Sequence, residues 1–163
     1  MSRLLSRSVL ALVAAGAGAA IIATQFVGEK EGLSLTAYQD GARVWTICRG
    51  HTEGVTPDRT ATPEECDRLF AGELGRRLAA VDTMVTVPVS EPRRAALASI
   101  CYNVGLAACR GSTLILRINA GDPAACDEIL RWTYVGGKDC RDPKSNCRGI
   151  VTRREQERAL CLL

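Results

Sequence analysis

Two acidic side chains and a hydroxyl lie close together in the segment EGLSLTAYQDGARVWTICRGHT, which runs from Glu31 to Thr52. Glycoside hydrolysis needs one carboxylic acid to protonate the leaving oxygen and a carboxylate on the other side of the bond. Glu31 and Asp40 supply these groups. The hydroxyl of Thr46 can help Asp40 hold a water, since a hydroxyl both donates and accepts hydrogen bonds. The residue types therefore favour cleavage by an inverting route, in which the carboxylates leave room for water.

The neighbours of each carboxylate predict which one is the acid. Apolar side chains beside Glu31 are expected to dry its surroundings, and desolvation keeps a carboxyl group protonated near neutral pH. These side chains are Val27, Leu33 and Leu35. Asp40 lies in a more polar stretch that favours its charged form. Three such residue types also fall together by chance in many chains, so spacing alone does not establish catalysis.

The segment resembles the catalytic signature of the phage lysozymes of glycoside hydrolase family 24, in which the Glu ends a first helix and the Asp and Thr follow in a β-hairpin. The downstream Gly50-His51-Thr52 also matches. Further landmarks extend the resemblance over roughly Glu29 to Leu163. They are Tyr102-Asn103-Val104-Gly105, Ser112-Thr113-Leu114, Asn119-Ala120-Gly121-Asp122, Arg131-Trp132 and the stretch GIVTRREQERALC. In detail, the chain is similar to the signal-anchor-release endolysins of lambdoid phages.

The resemblance implies an α+β, lysozyme-like fold that is mostly helical, with a small β-hairpin sheet beside the active site. It implies hydrolysis of the β-1,4 bond between N-acetylmuramic acid and N-acetylglucosamine in peptidoglycan, for host cell lysis. Glu31 is then the general acid, and Asp40 with Thr46 positions or activates water. The implied substrate-binding positions are Thr52, Tyr102, Asn103 and Ser112, although Asn103 can equally cap its helix.

Two alternatives have different chemistry. A lytic transglycosylase needs only the Glu and releases anhydro-muramyl products, and a wall-binding module has no catalysis at all. The intact triplet of Glu31, Asp40 and Thr46 disfavours both. The chain departs from the family at Arg43, a hairpin-turn position where members commonly carry Gly, which takes left-handed backbone angles without steric cost.

The N-terminus has the features of a membrane segment. Arg3 and Arg7 precede the uncharged run from Ser8 to Gly28, which at about 20 residues is long enough to span a bilayer. The positive flank favours a cytoplasmic N-terminus and export of the remainder, through the Sec machinery. We therefore divide the chain into a signal-anchor-release segment (1–28) and a catalytic domain (29–163).

Three interpretations of this segment are open. It is a signal peptide cleaved after Ala17-Gly18-Ala19, a permanent membrane anchor, or an anchor that later leaves the membrane. Its Ala- and Gly-rich composition and the resemblance favour release. The expected location is the host inner membrane facing the periplasm, followed by the periplasm itself. Release is expected to depend on depolarisation by a holin. While tethered, Glu31 would lie at the headgroups, four residues after Val27, and the enzyme would be silent.

Composition limits the other partners. The chain has 163 residues, with 47% hydrophobic and only 4% aromatic residues, so Ala, Leu, Val and Ile must form the core. A net charge of +3 lacks the dense basic clusters of a nucleic-acid binder. His51 is the only histidine and is expected to be a structural residue, either buried or ion-paired, and no CxxC pair occurs. We therefore expect no metal, no cofactor and no nucleic acid, and a monomer.

Eight cysteines favour export to an oxidising compartment, where they form disulfides. Cys140 and Cys147 bracket a short loop and are expected to pair, and the resemblance implies pairing of Cys126 with Cys161. The remaining candidates are Cys48 with Cys66 and Cys101 with Cys109.

Capping signals predict the helix starts. Thr62 and Ser90 are expected to open helices to about Val81 and Asn103. Shorter helices are expected at Ser112–Asn119 and Asp122–Arg131, and a second capping box at Thr152 and Glu155 is expected to open the last helix.

Overall fold

The computed structural model describes residues 4–163, so Arg3 of the predicted positive flank lies outside it. Within this range the chain is mostly helical, with two small antiparallel sheets, as the α+β prediction required. The helices are α1 (Arg7–Ala14), α2 (Ala19–Gly28), α3 (Pro63–Met84), α4 (Glu91–Val104), α5 (Leu106–Arg110), α6 (Thr113–Asn119) and α7 (Arg148–Cys161). The strands are β1 (Ser34–Gln39), β2 (Trp45–Cys48), β3 (Tyr134–Val135) and β4 (Lys138–Asp139), and 3-10 helices span Ala125–Arg131 and Pro143–Ser145.

Most of the predicted helix starts are confirmed. Thr62 caps α3 by accepting a hydrogen bond from the Glu65 N–H, and Ser90 caps α4 in the same way. The segment predicted from Asp122 is a 3-10 helix, which begins at Ala125.

The capping box predicted at Thr152 is wrong. The N–H of Ile150 already bonds to the carbonyl of Cys147. The chain is therefore helical before Thr152, and Cys147 is the N-cap of α7.

The β1–β2 hairpin is the small sheet that the sequence predicted. Tyr38 pairs with Thr46 and Gln39 with Trp45, and the ladder is irregular between Ser34 and Tyr38. Within that irregular stretch, β1 bonds to the loop before α3, since the Ala61 N–H donates to the Leu35 carbonyl. The hairpin is therefore tied to the helical part of the protein through this loop.

Helix α4 lies at the centre of the core, with every residue from Ala95 to Cys101 buried. Helices α2, α3 and α7 pack around it. The buried residues of α2 are Ala19, Ile22, Ala23, Phe26 and Val27. The N-terminal segment thus supplies one wall of the same core that the catalytic part of the chain uses.

The uncharged run is broken into two short helices rather than one long one. Helix α1 ends at Ala14 and α2 starts at Ala19, and Gly16 between them has φ +71°, which only glycine adopts without strain. Over residues 4–163, no helix is both long and apolar enough to cross a membrane.

Four disulfides link the elements, in the pairings expected from the sequence. Two of them, Cys48–Cys66 and Cys126–Cys161, join β2 to α3 and the 3-10 helix to α7. The other two are Cys101–Cys109 and Cys140–Cys147.

Candidate active site

Glu31 lies one turn beyond the end of α2. Its backbone N–H bonds to the Val27 carbonyl at 3.2 Å, so the helix fixes its position. The carboxylate Oε1 accepts a hydrogen bond from Arg153 Nη1 at 2.7 Å, and 22% of the side chain is exposed. Arg49 Nη1 donates to the Glu31 and Gly28 carbonyls at 3.4 and 3.3 Å. The backbone of Glu31 is therefore held by α2 and by Arg49, while its side chain stays partly exposed to solvent.

The expected drying of Glu31 by Leu33 and Leu35 is wrong. These side chains are 46% and 38% exposed, because β1 belongs to a two-stranded sheet at the surface. Val27 alone of the three predicted neighbours is buried. The immediate partner of the carboxylate is instead the cation Arg153.

A buried charge cluster on α7 lies behind this ion pair. Glu157 has no exposed surface, and its Oε1 accepts hydrogen bonds from Ser99 Oγ at 2.7 Å and Arg153 Nε at 3.2 Å. Its Oε2 accepts from Arg154 Nη1 at 2.6 Å, and Arg154 Nη2 donates to the Asn103 side chain. Sequence reasoning missed this cluster, although the spacing Arg153, Arg154, Glu157 places all three on one helix face.

Asp40 begins the turn between β1 and β2. Its Oδ1 accepts hydrogen bonds from the N–H groups of Ala42 and Val44, at 2.8 and 2.9 Å. Arg43, in the same turn, has φ +62°, so it occupies the left-handed conformation for which the family commonly uses Gly. Within residues 4–163, Oδ2 of Asp40 has no protein partner. One carboxylate oxygen thus shapes the turn and the other is left for a ligand or water.

Thr46 lies opposite Tyr38 in the sheet and is 3% exposed. Its hydroxyl donates to the Val44 carbonyl at 3.0 Å and makes no bond to Asp40. The oxygen lone pairs of Thr46 can still accept a hydrogen bond from a water. Asp40 and Thr46 are therefore brought onto one hairpin, while Glu31 is supplied by the end of α2.

Tyr102 and Thr52, two of the predicted binding positions, differ in environment. Tyr102 is half-buried, packs edge-to-face on Phe70, and donates its hydroxyl to the Arg49 carbonyl at 2.8 Å. Burial, followed by the charges of Glu73 and Glu31, raises the pKa of Tyr102, so its hydroxyl stays protonated as a donor. Thr52 is exposed.

The Ser112 hydroxyl faces the backbone. It donates to the Cys109 carbonyl at 2.7 Å and accepts from the Ile115 N–H, which caps α6. The next residue, Thr113, lines a cavity of about 740 Å³ instead. Other residues that line this cavity are Asn103, Glu128, Arg131, Trp132 and Arg154.

Consecutive residues of α7 connect this cavity with Glu31. Arg154 lines the cavity, and Arg153 holds Glu31. The predicted binding position Asn103 and the family landmark Trp132 both line this concave surface, which has polar and aromatic walls suited to a sugar or peptide.

His51 contacts an acidic side chain, in keeping with the structural role expected for it. Its Nδ1 lies 2.6 Å from Glu73 Oε1, and the side chains are only 12% and 14% exposed. The backbone of His51 pairs with Ile47 at the end of β2, so this contact joins the hairpin to α3.

Comparison with known proteins agrees with this architecture. Residues 28–157 match the model of the family described as phage lysozyme. The SAR-endolysin of Escherichia phage 933W is 50% identical over 162 residues, which cover 96% of this chain and 92% of the relative. The muramidase domain of SpmX from Asticaccaulis excentricus has a TM-score of 0.76 at 27% identity, covering 86% of this chain and 95% of that chain.

A mutant of P22 lysozyme has a TM-score of 0.73 at 31% identity, over 86% of this chain and 95% of that chain. Fold and sequence thus lead to the same conclusion, and the match spans both the end of α2 that holds Glu31 and most of α7. The chain belongs to the phage lysozyme family and is a glycoside hydrolase of the lysozyme type.

Proposed function

We propose that Glu31 is the general acid of a peptidoglycan muramidase of the endolysin class, and that Asp40 and Thr46 hold the attacking water. The observation that supports this most strongly is the placement of Glu31. Its carboxylate is held by Arg153 at 2.7 Å, yet remains partly open to solvent. The substrate is the β-1,4 bond between N-acetylmuramic acid and N-acetylglucosamine, and the role is host cell lysis.

The proposed reaction divides the work between the two carboxyl groups. Glu31 donates its proton to the glycosidic oxygen, which leaves on N-acetylglucosamine. Asp40 Oδ2, the oxygen not used by the turn, accepts a proton from the water that attacks the muramyl anomeric carbon. The Thr46 hydroxyl accepts a second hydrogen bond from that water. Arg153 fixes the orientation of the acid, and the neighbouring cavity accommodates part of the substrate.

Replacement of Glu31 tests this proposal. Positioned acids contribute on the order of 10²- to 10⁴-fold to rate, so Glu31→Gln is expected to lower peptidoglycan hydrolysis by at least about 100-fold while the thermal unfolding curve stays cooperative. Glu29→Gln is the matched control, since Glu29 is exposed and bonds to Ser6 and Gln25 instead. A Glu31→Gln protein with more than about a tenth of the original rate would reject the assignment.

We also infer that residues 1–28 first anchor the protein in the host inner membrane, after export by the Sec machinery, and then leave the bilayer. Supporting this are the uncharged run from Ser8 to Gly28 and the SAR-endolysin names of several relatives. The glycine-containing break at residues 15–18 allows a spanning segment to fold into two helices. Packing of α2 then fixes Glu31, so exit from the membrane, triggered by holin depolarisation, switches the periplasmic enzyme on.

Intact-mass measurement tests the anchor. Cells that express the chain are fractionated before and after chemical depolarisation, and the protein is weighed by mass spectrometry. The proposal predicts a membrane-bound protein beforehand and a soluble, full-length periplasmic protein afterwards. A soluble form lacking about the first 20 residues would instead indicate signal-peptide cleavage.

A further inference from the structure

Glu157 is a buried acidic residue of α7 that the proposed chemistry does not use. Burial of a charge is costly, and a buried ion cluster is weak evidence for stability, because apolar replacements are often tolerated as well. Glu157 nevertheless binds two arginines and a serine hydroxyl with complete burial. The two arginines lead to different parts of the site, which suggests a role beyond folding.

We infer that Glu157 is a positioning residue for hydrolysis, which acts through Arg153 on Glu31 and through Arg154 on the cavity wall at Asn103. The inference rests on the proposed role of Glu31 as the acid. Glu157 does not touch the substrate itself in this scheme. It sets the orientation and the electrostatic surroundings of the groups that do.

Arg153 links Glu157 to Glu31. Its Nε donates to Glu157 at 3.2 Å and its Nη1 donates to Glu31 at 2.7 Å. Because a guanidinium is planar, bonds at two of its nitrogens fix the plane, and Glu157 therefore sets the direction from which Nη1 approaches Glu31. Only 10% of the Arg153 side chain is exposed, so water cannot readily replace Glu157 as its partner.

Arg154 links Glu157 to the cavity wall. Its Nη1 binds Glu157 at 2.6 Å, its Nε donates to the Trp132 carbonyl at 2.8 Å, and its Nη2 binds Asn103. Trp132 and Asn103 both line the cavity. One buried carboxylate thus holds the acid and the cavity wall in a fixed relation.

Charge balance gives the inference a measurable consequence. The cluster contains two guanidinium groups and, when Glu31 is ionised, two carboxylates. Among residues 4–163, Lys30 and the Tyr102 hydroxyl also interact electrostatically with Glu31, and Arg49 contacts its backbone. Loss of the Glu157 charge leaves excess positive charge beside Glu31, so the pH dependence of hydrolysis is expected to report on this cluster.

The test is the pH–rate profile of Glu157→Gln on purified peptidoglycan. The alkaline limb of this profile is the pH range in which the rate falls as pH rises. Removal of one charge from a partly buried cluster is expected to move this limb to lower pH by about one unit. Arg154→Gln removes a positive charge from the same cluster and is expected to move the limb to higher pH. The Arg154 variant keeps the inference falsifiable where Glu157→Gln fails to fold.

Ser99→Ala is the matched control, because it removes a hydrogen bond to the same carboxylate oxygen without changing charge. Its alkaline limb should stay where it is in the unmodified protein. A folded Glu157→Gln with an unmoved limb, or shifts of equal sign in the Glu157 and Arg154 variants, would overturn the inference. Glu31→Gln assayed in parallel separates the two claims, since only its retained activity would reject the proposed acid.

Discussion

Ile21 and Ile22 are adjacent isoleucines of α2 in opposite environments. Ile22 has no exposed surface, whereas Ile21 is 58% exposed. Ile22→Ala removes about three methylene equivalents at ~0.8 kcal/mol each, and the residual cavity raises the loss of unfolding free energy to about 3 kcal/mol. Ile21→Ala, the same chemical change one position away, is expected to alter stability by about 0.5 kcal/mol or less.

Thermal unfolding of the soluble protein, followed by circular dichroism, measures this difference. For a chain of this size each kcal/mol shifts Tm by roughly 2–4 °C, so Ile22→Ala should unfold about 6–12 °C below the unmodified protein and Ile21→Ala at most about 2 °C below it. Both variants also need intact-mass confirmation that the N-terminus is present. Equal Tm values for the two full-length variants would show that α2 is not part of the core in solution, and would remove the structural basis for fixing Glu31 by release.

Three further predictions concern stability. Arg43→Gly relieves a left-handed backbone and should raise the unfolding free energy by about 1 kcal/mol in urea titrations. The Ala19 N–H donates to the Glu91 carboxylate and holds its pKa below the ordinary value. The resulting stabilisation of the folded state is present at pH values above the unfolded-state pKa and is lost as the pH falls through the folded-state pKa. Glu91→Gln should therefore destabilise the protein at about pH 7 but not at about pH 2. Removing the Cys126–Cys161 disulfide by double alanine replacement should cost about 4 kcal/mol, from its 35-residue separation. A cost below about 1 kcal/mol in the same titrations would contradict the loop-entropy reasoning.

Local signals in the sequence predicted much of the fold. The caps at Thr62 and Ser90 act within one turn of their helices, so their effect is readable from neighbouring residues. The capping box at Thr152 has equally suitable residues, yet α7 starts earlier at Arg148. A cap sequence shows only that a helix can start at a residue, and the N-cap of this helix is instead Cys147, which is in a disulfide with Cys140.

The candidate site was less accessible to sequence reasoning. Glu31, Asp40 and Thr46 could be named from residue types and resemblance, but the environment of Glu31 depends on Arg153, far along the chain. The exposure of Leu33 and Leu35 likewise follows from the size of the sheet, which no local pattern specifies. Long-range packing therefore determines the electrostatics around Glu31.

The most direct test of the account is the mass of the products formed from peptidoglycan in ¹⁸O-enriched water. A site in which Glu31 protonates the leaving group while Asp40 and Thr46 hold a water must place one solvent oxygen on each new muramyl reducing end. Reducing products that carry one ¹⁸O label each are therefore expected. Unlabelled anhydro-muramyl products, smaller by one water, would show that no water is added, and would contradict the roles of Asp40 and Thr46.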